Sequence, residues 1–360
     1  MDTVILGLPL YYYIAMVAKV LAAFVFVLLT VAYATYAERK LIGFMQVRIG
    51  PNRVGPKGLL QPIADGLKLF FKEEIIPANA STFAYLIAPL IALVPAFITF
   101  AAIPFGGTIE VMGYKVPLQI AGYYDTTIGR VFDLNVGVLY ILAMAGLGIY
   151  GIVLAGWASN SKYSLLGGLR SSAQMISYEL AAGLAIIPVF MLAGSLSLHE
   201  IVKAQEGLRW FIWSNPMTFV AGILFYICAL AEINRVPFDL PECESELVSG
   251  FCTEYSSMKY AMFFMAEYAN MVTVSAITTT LFLGGWDGPF TSQYPLLSVV
   301  YFVLKVYFLM FIAIWLRATL PRYRYDQLMK LGWKVLLPLA LVLIVLTALA
   351  GYFGFYSFFG

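Results

Sequence analysis

Of the 360 residues, 61% are hydrophobic and only 12% charged, half the ~25% charge typical of soluble chains, which excludes a water-soluble globular surface. The net charge of +2 supplies no concentrated basic face, so a nucleic-acid partner is not expected. Three cysteines without C-x-x-C spacing (Cys228, Cys243, Cys252) and one histidine, His199, exclude an iron–sulfur, zinc or bis-histidine haem site built from this chain alone.

Apolar runs that can cross a bilayer core, about 20 residues each, recur along the whole chain. They predict an all-α fold, a polytopic transmembrane bundle of about eight spans making one integral membrane domain over residues 1–360. The first span, residues 10–36, starts beside Asp2 rather than a basic cluster and is too long for a cleaved signal, so it is expected to stay as an anchor. The connection after it, 38–82, has turns at Gly50-Pro51 and Gly55-Pro56. From Pro62 onward, Ile63, Leu67, Phe70 and Phe71 share one helical face while Asp65, Lys68 and Lys72 share another. That pattern predicts an amphipathic helix lying in the membrane interface.

The second span is placed at 83–103, and the following loop, 104–135, reads as a short hairpin lid around Gly106-Gly107. The third, 136–157, contains no acid, whereas the fourth, 172–192, holds Glu179. His199 falls in the next loop, where a solvated or capping role is expected. The fifth span, 216–231, is the shortest. The connection at 232–259 carries six acids (Glu232, Asp239, Glu242, Glu244, Glu246, Glu254) against Arg235 and Lys259. Carboxylates this close raise one another's pKa values, which suits a proton relay; a solvated acidic loop or a dock for a basic partner is the alternative. Spans six to eight follow at 260–283, with Glu267, at 296–316, with Lys305, and at 335–352.

An ionisable group inside a span costs roughly 3 kcal/mol or more. Glu179 and Glu267 each sit seven residues into their spans, about 10 Å deep at 1.5 Å per residue. Two carboxylates at one depth can share or relay a proton, or act as neutral hydrogen-bonded glue between helices. Lys19 and Lys305 are open to three readings: neutral, paired with a carboxylate, or snorkelling to the interface. The four odd connections carry 16 lysines and arginines and the three even ones carry four. The odd loops are therefore expected in the cytoplasm, with both termini outside.

Residues 38–77 and 231–268 resemble two signature stretches of the membrane protein known as chain 1, or the H subunit, of respiratory NADH:quinone oxidoreductase, complex I. GWASNSKYSLLGGLRSSAQMISYELAA, residues 156–182, resembles a third. The resemblance implies a cell inner membrane subunit that lines a quinone tunnel and couples quinone reduction to proton translocation. It binds no cofactor itself. Quinone is the substrate, and NADH, FMN and iron–sulfur clusters are held by partners, the hydrophilic-arm subunits, beside other membrane subunits and lipid. Carried over by motif, Glu38, Arg39, Gln46, Arg48, Asp65, Arg235, Phe238 and Asp239 belong near the quinone tunnel. Glu179, Glu232, Glu242, Glu244, Glu246, Glu254, Glu267 and Tyr268 resemble the polar path toward the pumping subunits. Some family members have an acid in the third span; without one here, a relay through that helix needs Tyr150 or water. An equivalent subunit of a hydrogenase- or ferredoxin-linked complex is the alternative, ahead of an ion-coupled transporter or a passive anchor.

Overall fold

The computed structural model describes residues 4–5, 8–111, 114–125, 130–241, 244–291 and 293–354. Glu242 and Cys243 lie outside the described residues. The helices are α1 (Leu10–Met45), α2 (Gln61–Phe71), α3 (Thr82–Ile98), α4 (Gly137–Ala158), α5 (Lys162–Ala193), α6 (Leu198–Lys203), α7 (Phe211–Ser214), α8 (Pro216–Glu232), α9 (Glu244–Leu247), α10 (Ser257–Phe282), α11 (Pro295–Thr319), α12 (Tyr325–Leu331) and α13 (Leu337–Tyr352). A π-helical turn, Gly332–Leu336, joins α12 and α13 without a break. A helix occupies each of the eight predicted spans. Among the described residues, six stretches are long and apolar enough to cross a membrane: Tyr13–Met45, Thr82–Ala101, Gly137–Ala158, Lys162–Ala193, Pro295–Thr319 and Tyr325–Tyr352. α8 is apolar but has only 17 residues.

The remaining one, α10, is long but polar, and the bundle compensates by burying it: all eleven residues from Val272 to Phe282 are buried. Its hydroxyls are satisfied within the helix, with Thr273, Ser275, Thr278 and Thr279 each donating to the carbonyl four residues back at 2.7–3.0 Å. A polar helix is thereby made compatible with a dry interior.

Beyond the apolar runs the helices continue. α1 reaches Met45 rather than residue 36, and α5 begins at Lys162 rather than 172. Hydropathy marks where lipid ends, but charged and small residues such as Glu38, Arg39 and Lys40 keep the backbone ladder intact until Val47 and Gly50 take positive φ. Close packing is set by small residues. A Cβ on Gly151 of α4 would lie 2.6 Å from the Ala92 nitrogen of α3, so only glycine permits this approach.

Odd-numbered connections meet at one end of the bundle. Ile75 N donates to Ser256 Oγ at 3.1 Å, Tyr323 N to the Pro237 carbonyl at 3.1 Å, and Arg170 pairs with Glu246 at 2.5 Å. Even-numbered ones meet at the other, where Gly107 N donates to Ser298 Oγ at 3.2 Å and Leu208 N to Asp287 Oδ2 at 3.2 Å. Two antiparallel hairpins, β3 (Pro104–Val111) with β4 (Tyr114–Gln119) and β5 (Tyr123–Asp125) with β6 (Arg130–Phe132), cover this second end. A further short ladder pairs β1 (Val4–Ile5) with β2 (Leu8–Pro9). The strands decorate a helical bundle and contribute no spanning element.

One expectation about a single side chain needs correction, and two open ones gain detail. Lys19 pairs with no acid among the described residues: its Nζ donates to the carbonyls of Gln119, Gly122 and Pro117 at 2.8, 2.9 and 3.5 Å. Lys305 does the same with Leu283, Gly285 and Asp287 at 2.7, 3.0 and 2.7 Å, its ammonium 4.0 Å from the Trp210 ring centre. His199 is not solvated. It is buried in α6 with its ring 5.0 Å from that of Trp286, and burial, aided by Lys203, holds the imidazole below its ordinary value.

Candidate functional site

The site forms where the odd-numbered end of the bundle meets its interior. α8 stops at Glu232, and Asn234 takes a left-handed φ of 60°, which asparagine tolerates better than most residues. The chain turns back under the bundle, held by Gln174 of α5, whose amide donates to the carbonyls of Ala231 and Phe238 at 2.7 Å each. This delivers Arg235 into a nearly closed space, 6% exposed.

Arg235 bridges two acids there. Its Nε donates to Glu267 Oε1 of α10 at 2.5 Å, and its Nη1 pairs with Glu38 of α1. The guanidinium lies 4.0 Å from the Tyr268 ring centre. Glu38, 5% exposed, also accepts from Arg317 at the end of α11 and from Tyr268 OH at 2.9 Å. Two carboxylates and two guanidinium groups from four segments thus form a neutral quartet. Neutrality is what makes such burial tolerable, since a lone buried charge costs several kcal/mol. Burial opposes the charge on Arg235, but Glu267, Tyr268 and Glu38 outweigh it and push the guanidinium well above its ordinary value.

Next to the quartet, Arg322 pairs with Asp239 at 2.7 Å, and the Phe238 ring stacks on Tyr323 at 5.6 Å and 6°. Asp239 is buried and its Oδ1 has no partner among the described residues. Burial pushes this carboxyl up to about 6 in spite of the arginine.

Inward from Arg235 lies a small cavity of about 40 Å³ in which Glu232, Asn234, Glu267 and Asn270 stand beside apolar wall residues such as Ile152, Met175, Phe251 and Phe263, with Gly148 and Ala92 also in its lining. Glu179 is not among its lining residues. It stands beside Gly146 of α4, where an added Cβ would lie 3.1 Å from Glu179 Oε1. Glu267 is engaged by Arg235, the acid that shares a cavity with it is Glu232, and Glu179 lies near enough to Glu232 for their charges to interact. Tyr150, the hydroxyl considered for a relay through the third span, is 63% exposed and turned away from this interior.

The other residues singled out in the sequence separate into groups. Arg39 points away from Glu38 and pairs with Asp65 of α2 at 2.5 Å, and Gln61 donates to Asp65 at 3.0 Å. Arg48 Nε donates to Gln46 Oε1 at 2.7 Å in the exposed turn after α1. These form a corner between α1 and α2, separate from the quartet, while Ile63, Leu67, Phe70 and Phe71 leave the apolar face of α2 uncovered by this chain. Glu246 is a surface partner of Arg170. Glu254 stands near Tyr85, which donates to its carbonyl at 2.7 Å, and Glu244 opens α9. Sequence reasoning misses Arg317 and Arg322. Six acids in the fifth connection and five cations in the seventh do not say which cation meets which acid, and Arg317 pairs with Glu38 of α1 instead.

Residues 18–348 match the family described as NADH dehydrogenase. The chain is similar to the NADH-quinone oxidoreductase H subunit 1 of Geobacter sulfurreducens, 74% identical over 343 residues that cover 95% of this chain and 97% of that one. It is similar to the NADH-quinone oxidoreductase H subunit 2 of Geobacter metallireducens, 74% over 345 residues, covering 96% and 98%. With the NADH-quinone oxidoreductase H subunit of Rickettsia rickettsii it shares 53% over 332 residues, covering 92% and 91%.

Proposed function

The chain belongs to the NADH dehydrogenase family, among the H subunits of NADH-quinone oxidoreductase, and from that premise we propose that it forms the membrane side of a quinone site and couples quinone reduction to proton translocation. The observation that carries this is the sharing of Arg235 between Glu38 and Glu267. Electrons arrive from FMN and iron–sulfur clusters on hydrophilic-arm partners, and this chain reduces nothing alone. Two-electron reduction of a quinone creates negative charge and demands two protons. New negative charge beside the Glu38 end of the quartet competes for Arg235 and weakens its hold on Glu267. A carboxylate losing a guanidinium partner becomes a better base, so Glu267 takes a proton from the interior side. Protonation of the quinone restores the original pairing.

In this reading Glu38, Arg235, Phe238 and Asp239 serve the quinone side, with Arg39, Asp65, Gln46 and Arg48 at its lipid-facing corner. Glu267, Tyr268, Glu232 and Glu179 serve the proton side, and Glu244, Glu246 and Glu254 belong to the acidic connection beyond it, as does Glu242, which lies outside the described residues. The odd connections face the cytoplasm and both termini face outward across the cell inner membrane, by the basic asymmetry of the loops. Glu38→Gln in the assembled complex tests the reading. Quinone reductase activity should fall about tenfold or more, while electron transfer to ferricyanide, which needs only the hydrophilic arm, is kept. Unchanged quinone reduction at equal complex content would contradict it.

A further inference from the structure

The cavity between Glu232 and Glu267 has a shape and chemistry that the carboxylates alone do not explain. At about 40 Å³ it has room for two or three waters, at roughly 10–15 Å³ each. Asn270 lies three residues after Glu267 on α10, so both side chains share one helix face. Neither the Glu232 carboxylate nor the Asn270 amide makes a hydrogen bond or ion pair with the described residues, and both line this space. Both residues are half-buried, and polar groups withdrawn from bulk solvent are almost always hydrogen-bonded, to water if not to protein. Asn234, the other amide in the wall, is already held, accepting from Gln174 at 3.3 Å and donating to Met175 Sδ at 3.6 Å.

The rest of the wall is apolar, with Ile152, Met175, Phe251 and Phe263 among its residues, and one position in it carries no side chain. Gly148 of α4 borders the cavity, and a Cβ built on it would meet no atom within 4 Å. Packing does not demand this glycine, unlike Gly151 one turn on, where the α3 backbone does. Glycine is unfavourable inside a helix by roughly 0.5–1 kcal/mol relative to alanine. Because Gly148 lines the cavity, a methyl here would add bulk at its wall.

Resting on the coupling role proposed above, we propose that Gly148 and Asn270 are positioning residues for proton transfer: Gly148 keeps open a water-filled gap between Glu232 and Glu267, and Asn270 orients the water in it. Protonated Glu232 gives its proton to the water while the same water passes another to the Glu267 carboxylate. Glu232 ends ionised, Glu267 ends neutral, and the water is unchanged. The Asn270 amide, able both to donate and to accept, fixes the water without competing for the proton.

Gly148→Ala and Asn270→Leu in the assembled complex test this, with Gly183→Ala of α5 as the control because its Cβ also meets nothing within 4 Å but it does not border the cavity. Quinone reductase and proton translocation in membrane vesicles should fall together about tenfold in both cavity variants. The apparent KM for quinone should be unchanged, the solvent deuterium isotope effect on turnover should rise, and ferricyanide reduction should be kept. Asn270→Ser, which restores a donor and acceptor, should recover most of the rate, and Gly183→Ala should match wild type. Wild-type rates, pumping and isotope effect in Gly148→Ala and Asn270→Leu would overturn the water-gap proposal alone, provided Glu232→Gln and Glu267→Gln still abolish pumping. Normal pumping in those Glu variants would instead overturn the coupling reading beneath it.

Discussion

Glu38 holds two arginines and a tyrosine with one carboxylate, so each partner's loss should be felt in a different way. Arg317→Gln leaves Glu38 with Arg235 and Tyr268, and Arg235 is then drawn toward Glu38. The complex should assemble with quinone reductase reduced several-fold, and Arg317→Lys should recover part of it, since a point charge replaces only some of the guanidinium geometry. Equal activities in both variants would mean that Arg317 acts by packing alone. Asp239 gives a pH signature. Its carboxyl, pushed up to about 6 by burial, is ionised and clasps Arg322 above that pH and is neutral below it. Because the folded value lies above the ordinary one, its contribution to folding is greatest in acid and is lost as pH rises through about 6, whereas the clasp itself has the opposite dependence. Quinone reductase should therefore fall as pH drops through about 6, and Asp239→Asn should be slower at neutral pH and flat across that limb. At this scale the acids are legible in the sequence, because a carboxylate in or beside an apolar run is conspicuous. Their partners are not: Arg317 and Arg322 look like ordinary loop cations until folding brings the seventh connection under the fifth.

Among the elements, the helices are legible where lipid contact writes an apolar code, and their ends are not. Residues 10–36 mark the membrane part of α1, but the carboxylate at 38 sits on a helix that runs to Met45, held by backbone hydrogen bonds that hydropathy does not record. α10 is the reverse case. Its hydroxyls weaken the apolar signal, yet it is deeply buried because neighbouring helices replace lipid around it. The amphipathic pattern of α2 is readable directly, since its face is not covered by this chain. The contact between α3 and α4 at Gly151 is a distance, not a pattern, and emerges only in three dimensions. Gly151→Val should separate these helices and lower the thermal stability of the assembled complex, by about 1–3 kcal/mol or more, with loss of subunit association on heating. A melting profile equal to wild type would show that the approach seen at Ala92 is not needed.

For the molecule as a whole, alternate connections gather at opposite ends, as a chain that runs back and forth through one bundle requires. Cysteines placed at the exposed positions Lys57 and Arg324 should label from the cytoplasmic side, and those at Lys115 and Gln293 from the outside. Labelling of Lys57 and Arg324 from different sides would break the eight-crossing topology. The charged quartet sits at the end where the odd-numbered connections meet, the cytoplasmic end in the proposed orientation, with the Glu232–Glu267 cavity inward of it. The proposed coupling has Glu267, released by Arg235, take up a proton when quinone is reduced. Its most direct test is proton translocation per quinone reduced, in sealed vesicles at equal complex content, for wild type, Glu267→Gln and Glu232→Gln. Glutamine keeps size and hydrogen bonding but cannot titrate, so both variants should assemble, both should lose pumping together with quinone-linked turnover, and the double variant should be little worse than the poorer single one because the groups act in series. Normal turnover with normal pumping in Glu267→Gln would contradict this coupling.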